Sequence, residues 1–210
     1  MAFFPSPGNR APAAETAAAA VHAETERQLV DAAQGGDLEA LSTLYHTHIN
    51  QVYRYALARL GNVHDAEDVT EEIFLKMLGG IQSYQWRKIP FAAWLMRIAR
   101  NEVVNFTRRS GRRAKDAQLP EEMEDGGNVD PAATTERLLA LEDLRIAVKQ
   151  LAEAQREVIV LRFAAGLSIA DTARALNKNE NNVKVLQHKG MLRLQTIMAF
   201  KYPELAEKRP

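Results

Sequence analysis

Residues Leu161–Leu194 read LRFAAGLSIADTARALNKNENNVKVLQHKGMLRL, and the spacing predicts two helices joined by a tight turn. Gly166 has no Cβ to clash at positive φ and can end the helix before it. Ser168 then stands as N-cap with Asp171 three residues on, a short-acid capping box. Ile169, Ala173 and Leu176 share one face, and the small Ala173 admits a close neighbour. Asn177-Lys178-Asn179 makes the turn, because Asn tolerates left-handed geometry. In the second helix Val183, Leu186, Gly190 and Leu194 form an apolar stripe, which leaves Asn181, Asn182, Lys184, Gln187, His188 and Lys189 to face outward. This is the spacing of a helix-turn-helix with a polar, basic recognition helix. An ordinary helical hairpin with a solvated face has the same spacing, so the remaining sequence has to choose.

Composition sets the frame. The chain has 210 residues, 46% hydrophobic and 26% charged, the proportions of a soluble protein of one large or two small domains. Without cysteine there is no disulfide, cysteine-bound zinc or thiol nucleophile, which suits a reducing compartment such as the cytoplasm. No apolar run nears the ~18 residues of a transmembrane helix, so no membrane insertion is expected. The zero net charge hides an asymmetry. Residues 144–210 carry 12 Lys and Arg against 6 Asp and Glu, residues 111–143 carry 4 against 9, and residues 26–110 balance at 10 each. A basic C-terminal module behind an acidic connector points to an anionic partner.

Residues 1–24 lack the basic start and apolar centre of a signal peptide and read as a disordered tail. From about Thr25 a short helix runs to Gly35-Gly36, and Asp37 caps the next, which Gly61 stops. His46 and His48 diverge on that helix and make a poor metal pair. Asp65 is read as the cap of a third helix, DAEDVTEEIFLKML. On one of its faces lie Asp68, Glu71, Glu72 and Leu75, either a solvated acidic stripe or a docking face for a basic helix with Leu75 as anchor. After Gly79-Gly80 a loop holds Tyr84, Trp86, Arg87 and Lys88. Aromatics among cations suit single-stranded nucleic acid, while core packing of one or both rings is the alternative. The following helix, FAAWLMRIARNEVVNFTRR, sets Phe91, Trp94, Leu95, Ile98 and Phe106 on one side. Arg97, Arg100, Asn101, Val104 and Arg108 lie on the other and lead into Arg109, a stripe able to follow phosphates that only Glu102 interrupts. Residues 111–134 lose periodicity and read as a flexible acidic linker. Helical spacing returns with Leu138, Leu141, Leu144, Val148 and Leu151. The chain thus divides into a tail (1–24), a first helical domain (25–110), the linker, a helix-turn-helix domain (135–200) and a short tail (201–210).

DAEDVTEEIFLKML followed by PFAAWLMRIARNEVVNFTRR resembles region 2 of the extracytoplasmic-function (ECF) sigma factors of bacterial RNA polymerase. LAEAQREVIVLRFAAGLSIADTARALN followed by NVKVLQHKGMLRL resembles their region 4. The resemblance covers roughly 25–110 and 135–197, and two separate stretches in the family order make it specific. It implies an all-α, two-domain, non-enzymatic initiation factor without cofactor or metal. Asp65, Asp68, Glu71, Glu72 and Leu75 would dock on the β′ clamp helices of core polymerase, with the β flap as a further contact. Tyr84, Trp86, Arg87, Lys88, Arg97, Arg100, Asn101, Arg108 and Arg109 would bind and open the minus-ten element. Asn181, Asn182, Lys184, Gln187, His188 and Lys189 would read the minus-thirty-five element. An anti-sigma protein is expected from the family alone. Asn177, Asn179 and Gly190 depart from its usual turn and recognition-helix residues, so promoter sequence does not carry over. Two rivals remain from the residues alone: a conventional helix-turn-helix regulator that binds duplex operator without polymerase, and a helical adaptor that binds only protein. No nucleophile–base pair, phosphate loop or ligand cluster suggests an enzyme.

Overall fold

The computed structural model describes residues 24–86, 89–117 and 135–202, and side chains are described outside 112–117 and 135–138. Among the described residues every regular element is helical. Helix α1 covers 24–34, α2 Leu38–Leu60, α3 Val63–Gly80 with a 3-10 turn at Ile81–Ser83, and α4 Phe91–Ala117. These form the first module. The second holds α5 (Thr135–Lys149), α6 (Glu153–Ile159) continuing through a π turn at Val160–Ala164, α7 (Ile169–Leu176) and α8 (Glu180–Lys201).

Local chemistry sets most boundaries. Asp37 accepts from the N–H groups of Glu39 and Ala40 at 2.8 and 3.2 Å and starts α2. Gly61 stops it at φ 79°, a backbone state that disfavours a Cβ. The cap of α3 is not Asp65 but Asn62, whose side chain accepts from the Asp65 N–H at 3.0 Å. Asp65 instead sits in the first turn, where a carboxylate favours the positive end of the helix dipole. Helix α4 runs to Ala117, six residues past the start expected for the linker at 111. The remainder of that stretch, with Glu121, Glu122, Glu124 and Asp125, lies outside the described residues, as do the tails through 23 and from 203.

The helix-turn-helix forms as its residues dictate. Gly166 takes φ 74°. Ser168 accepts from the Asp171 N–H at 2.9 Å and donates to its carboxylate at 2.6 Å. Asn177 is left-handed at φ 52°, and Asn179 caps α8 by accepting from the Asn182 N–H at 2.7 Å. Val158, Ala173 and Val183 make the buried centre, with Ile169, Leu176 and Leu186 packed on it. Gly190 has a positive role: a Cβ there would lie 2.9 Å from Ile159 Cγ1. The glycine lets α8 cross α6 closely, which offsets its intrinsic cost of about 0.5–1 kcal/mol in a helix.

The first module packs Leu44, Tyr55, Ile73, Met77, Phe91 and Leu95 at its centre, all almost fully buried. That cluster does not end at the module boundary. Val160, Leu161, Ala165, Leu167 and Ala175 belong to it, so the π turn and α7 lie against α2 and α4. Helix α5 behaves differently: Leu141 and Leu144 keep helical spacing but are exposed, and among its described side chains Ala147 is the buried one.

Candidate functional site

Three surfaces gather the residues singled out by the sequence. The first lies on α3. Asp68, Glu71 and Leu75 are exposed on one face, Leu75 by 60%, and among the described residues no ion pair engages Asp68 or Glu71. Glu72 is half-buried and pairs with Arg109 of α4 at 3.0 Å, and Asp65 is half-buried at the start of the helix. Beside this face, an open groove of about 550 Å³ runs between α2 and α3, lined by Tyr45, Tyr53, Phe74, Leu75 and Leu78 with Glu67 and Glu71 at its edge. Apolar walls under an acidic rim suit a basic amphipathic helix.

The second surface is α4 with the loop before it. Tyr84 is not presented to solvent. It is 7% exposed, packs 4.9 Å from Trp94 and 5.7 Å from Phe91 between ring centres, and donates to the Ile89 carbonyl at 2.5 Å. Burial, then the nearby Glu26 carboxylate, pushes its phenol well above the ordinary value. Gln34 fixes the loop by donating to the carbonyls of Ile81 and Tyr84 at 2.7 and 2.9 Å. The expectation of an open ring at 84 is therefore corrected: the ring completes the core, because Phe91 and Trp94 one helical turn apart leave a slot for it. Trp86 is half-buried and edge-on to Tyr84 at 6.3 Å. Arg87 and Lys88 lie outside the described residues. Along α4, Asn101, Val104, Arg108 and Arg109 are exposed. Glu102 does not interrupt the stripe, since it is buried and turned towards Lys76 of α3, 2.6 Å away. Arg97 and Arg100 are half-buried beneath the second module. Arg97 donates to the Arg174 carbonyl at 2.7 Å, and Arg100 stands 3.8 Å from Glu157.

The third surface is the start of α8. Asn181, Asn182, Lys184, His188 and Lys189 are exposed. Gln187 is not free to face outward as expected. It is half-buried and accepts from Arg162 Nε at 3.0 Å, and its helical position falls on the side of Val183, Gly190 and Leu194. Burial pulls the Arg162 guanidinium down, and the amide oxygen of Gln187 gives it a partner. The sequence reading also passed over a residue. Val185, 43% exposed, sits four residues after Asn181 and three before His188, at the centre of the outward face. Helical spacing places it on that face, where it is an apolar residue among polar ones.

The two histidines of α2 are placed differently. His48 is buried, 3.1 Å from Glu26, whereas His46 is exposed. No described helix is long and apolar enough to cross a membrane.

A helical two-module protein whose second module presents a helix-turn-helix is a class with many members, and sequence comparison narrows it. Residues 44–113 match the Sigma-70 region 2 family and residues 141–194 match Sigma-70, region 4. The chain is 35% identical over 192 residues to the ECF RNA polymerase sigma factor BldN of Streptomyces coelicolor, covering 90% of this chain and 70% of that one. It is 34% identical over 174 residues to the ECF RNA polymerase sigma factor SigD of Mycobacterium tuberculosis, covering 80% and 81%. Among solved structures, the sigma factor RpoE of Bartonella quintana, in complex with the anti-sigma factor NepR, has a TM-score of 0.64 at 22% identity, over 77% of this chain and 98% of that one. CnrH in complex with the cytosolic domain of CnrY gives the same score and identity over 82% and 96%; both bear on the fold. The chain belongs to the ECF sigma factors of the sigma-70 family. It is a transcription initiation factor that directs RNA polymerase to promoters.

Proposed function

We propose that the three surfaces divide initiation among them. The α3 face of Asp68, Glu71 and Leu75, with the groove beside it, docks on the clamp helices of the polymerase β′ subunit, while the second module meets the β flap. Glu72 and Asp65 support that face, Glu72 through Arg109. Helix α4 and Trp86 hold the minus-ten element: Arg97, Arg100, Asn101, Arg108 and Arg109 meet phosphates, and the indole stacks on an unpaired base. The outward face of α8 reads the minus-thirty-five element in a major groove. Asn181, Asn182, Lys184, His188 and Lys189 supply donors and acceptors, and Val185 supplies an apolar contact of the kind a thymine methyl accepts. Strand opening then needs no covalent chemistry, since binding free energy holds the unstacked bases. The protein acts in the cytoplasm without catalytic activity of its own, and an inhibitory anti-sigma protein is its regulatory partner, as NepR is bound to RpoE of Bartonella quintana.

The observation that carries this reading is the exposed acidic face of α3 bordered by an apolar groove. A conventional regulator has no need of such a face, and a protein-only adaptor has no need of the open recognition helix. Permanganate footprinting of a promoter with core polymerase and this chain tests it. Unpaired thymines at the minus-ten element are expected only when both are present. Reactivity with core alone, or duplex binding by the chain with no polymerase-dependent opening, would overturn it.

A further inference from the structure

The short loop between α3 and α4, which carries Trp86, is held from two sides. One is the core, where the Tyr84 ring is packed. The other is α1, an element that precedes the stretch matched to region 2, which begins at residue 44. Gln34, the last residue of α1, directs both hydrogens of its side-chain amide at the loop backbone. Its Nε2 donates to the Ile81 carbonyl at 2.7 Å and to the Tyr84 carbonyl at 2.9 Å. Gln82 of the loop returns the contact, donating from its own amide to the Gln34 carbonyl at 2.9 Å. That carbonyl is open to it because α1 stops there: Gly36 turns the chain at φ 91°, and carbonyls of a last helical turn lack an intrahelical donor.

Helix α1 is itself well seated. Val30 and Ala33 are buried in the core of the first module, with Leu29 and Ala32 packed beside them. Glu26 stands 3.1 Å from the buried His48 of α2. An amide carried at the end of so anchored a helix is a fixed point, as a supporting group has to be.

We infer that Gln34 is the positioning residue of the minus-ten loop, and that α1 thereby sets the angle at which the Trp86 indole meets an unpaired base. The inference rests on the proposed stacking role of Trp86. Gln34 is half-buried and its amide hydrogens are both engaged by loop carbonyls, so its contribution is made before DNA arrives. Tyr84 has its ring in the core and its carbonyl on Gln34, and Trp86 follows two residues later, edge-on to that ring. The backbone leading to the indole therefore starts in one direction. Without the amide the loop samples others, and apparent affinity for a strand falls with the fraction of loops still competent to bind. The freed carbonyls are only partly buried and can take water instead, so the loss is one of geometry more than of stability.

Holoenzyme assembled from core polymerase and the full chain is the form to test, on a promoter that it transcribes. The probe is a fork-junction template of that promoter whose minus-ten strand is unpaired. Gln34→Glu keeps the size of the side chain and removes both donors. It should weaken fork binding about tenfold, the loss expected when about a tenth of the loops stay competent, and leave affinity for core polymerase unchanged. Gln34→Met, of similar length and uncharged, should do the same, which separates the lost donors from the added charge and serves if the Glu variant fails to fold. Gln82→Ala removes only the return bond and should act in the same direction by a smaller factor. Ile73→Val thins the core of α3 about two turns before the loop and should leave fork binding unchanged, because lost stability alone does not move the indole. The decisive measurement is a double-mutant cycle with Trp86→Ala. A residue that acts through the indole has little left to do once the indole is gone, so adding Gln34→Glu to Trp86→Ala should change fork binding by about twofold at most. Normal fork binding in both Gln34 variants, an equal loss in Ile73→Val, or a full further loss on top of Trp86→Ala would each overturn the positioning role alone. Normal fork binding by Trp86→Ala would overturn the stacking reading and the positioning role with it.

Discussion

Helices α4 and α8 both carry cations and amides on one face, yet they stand differently in the folded chain. The outward face of α8, proposed to read the upstream element, is open to solvent at Asn181, Asn182, Lys184, Val185 and His188. Half of the α4 stripe is engaged, with Arg97 and Arg100 under the second module and Arg109 tied to Glu72. A surface that reads duplex DNA can stand open at little cost, because non-specific duplex contacts are weak at physiological salt. A surface built to hold an opened strand gains nothing from exposure before polymerase arrives. Similar composition therefore supports different availability, and the difference comes from what packs opposite each helix.

The largest effect expected concerns the ring at the edge of the α4 surface. Tyr84→Ala should cost about 3–5 kcal/mol of unfolding free energy, the usual loss for a large aromatic removed from a core, measured by denaturant midpoint. Trp86→Ala, at a half-buried position, should cost less stability but slow promoter opening, where base stacking is worth about 1–3 kcal/mol. Normal stability in the Tyr84 variant with selective loss of opening would return Tyr84 to the DNA surface.

Next in size is the acidic face that neither DNA surface covers. Reversing Asp68 and Glu71 to Lys should weaken core polymerase binding by about 3 kcal/mol, roughly a hundredfold in Kd, with little change in melting temperature because exposed charges contribute little to stability. Normal core binding by the double variant would move the docking face elsewhere. On α8, exchanging Asn182 should shift base preference by about 1–3 kcal/mol if it makes a bidentate contact. Replacing thymine by uracil in the upstream element should show which position, if any, Val185 reads. Selection from a randomised upstream element measures both, and Gln187→Leu serves as the contrast, since an inward residue should leave preference unchanged.

The smallest effect expected is acid loosening of the contact between the two modules. Burial alone would raise the Glu153 carboxyl, but hydrogen bonds from Arg156 and Arg59 outweigh it and hold it below the usual range. A depressed pKa means that its contribution is complete above the unfolded value and disappears as pH falls through the folded one. Module separation should therefore increase only below the usual carboxylate range, by a contribution of about 0–1 kcal/mol for so exposed a pair. Energy transfer between dyes placed on the two modules, followed across an acid titration, would reveal it, and a loss near neutral pH would point to another group.

What the sequence disclosed was local chemistry. Asp37, Gly61, Gly166, Ser168 and Asn177 mark helix ends through their own backbones and nearest neighbours, so each was legible without tertiary information. The order of the two modules was legible for the same reason, through motifs held within single helices. Tyr84, Gln187 and Gln34 were not. Their roles are set by Phe91 and Trp94, by Arg162, and by the loop carbonyls of Ile81 and Tyr84. For Gln187 and Gln34 those partners lie 25 or more residues away and carry no periodic signal. Asn62 displaced Asp65 as the α3 cap because either side chain is competent and only the path of the preceding loop decides.

Transcription by core polymerase on a library with both promoter elements randomised, with and without this chain, tests the division of labour most directly. Transcripts dependent on the chain should be enriched for preferred bases at two separated elements, and Asn182 variants should change the upstream preference alone. Absence of chain-dependent transcripts, or enrichment at a single duplex element that needs no polymerase, would contradict it.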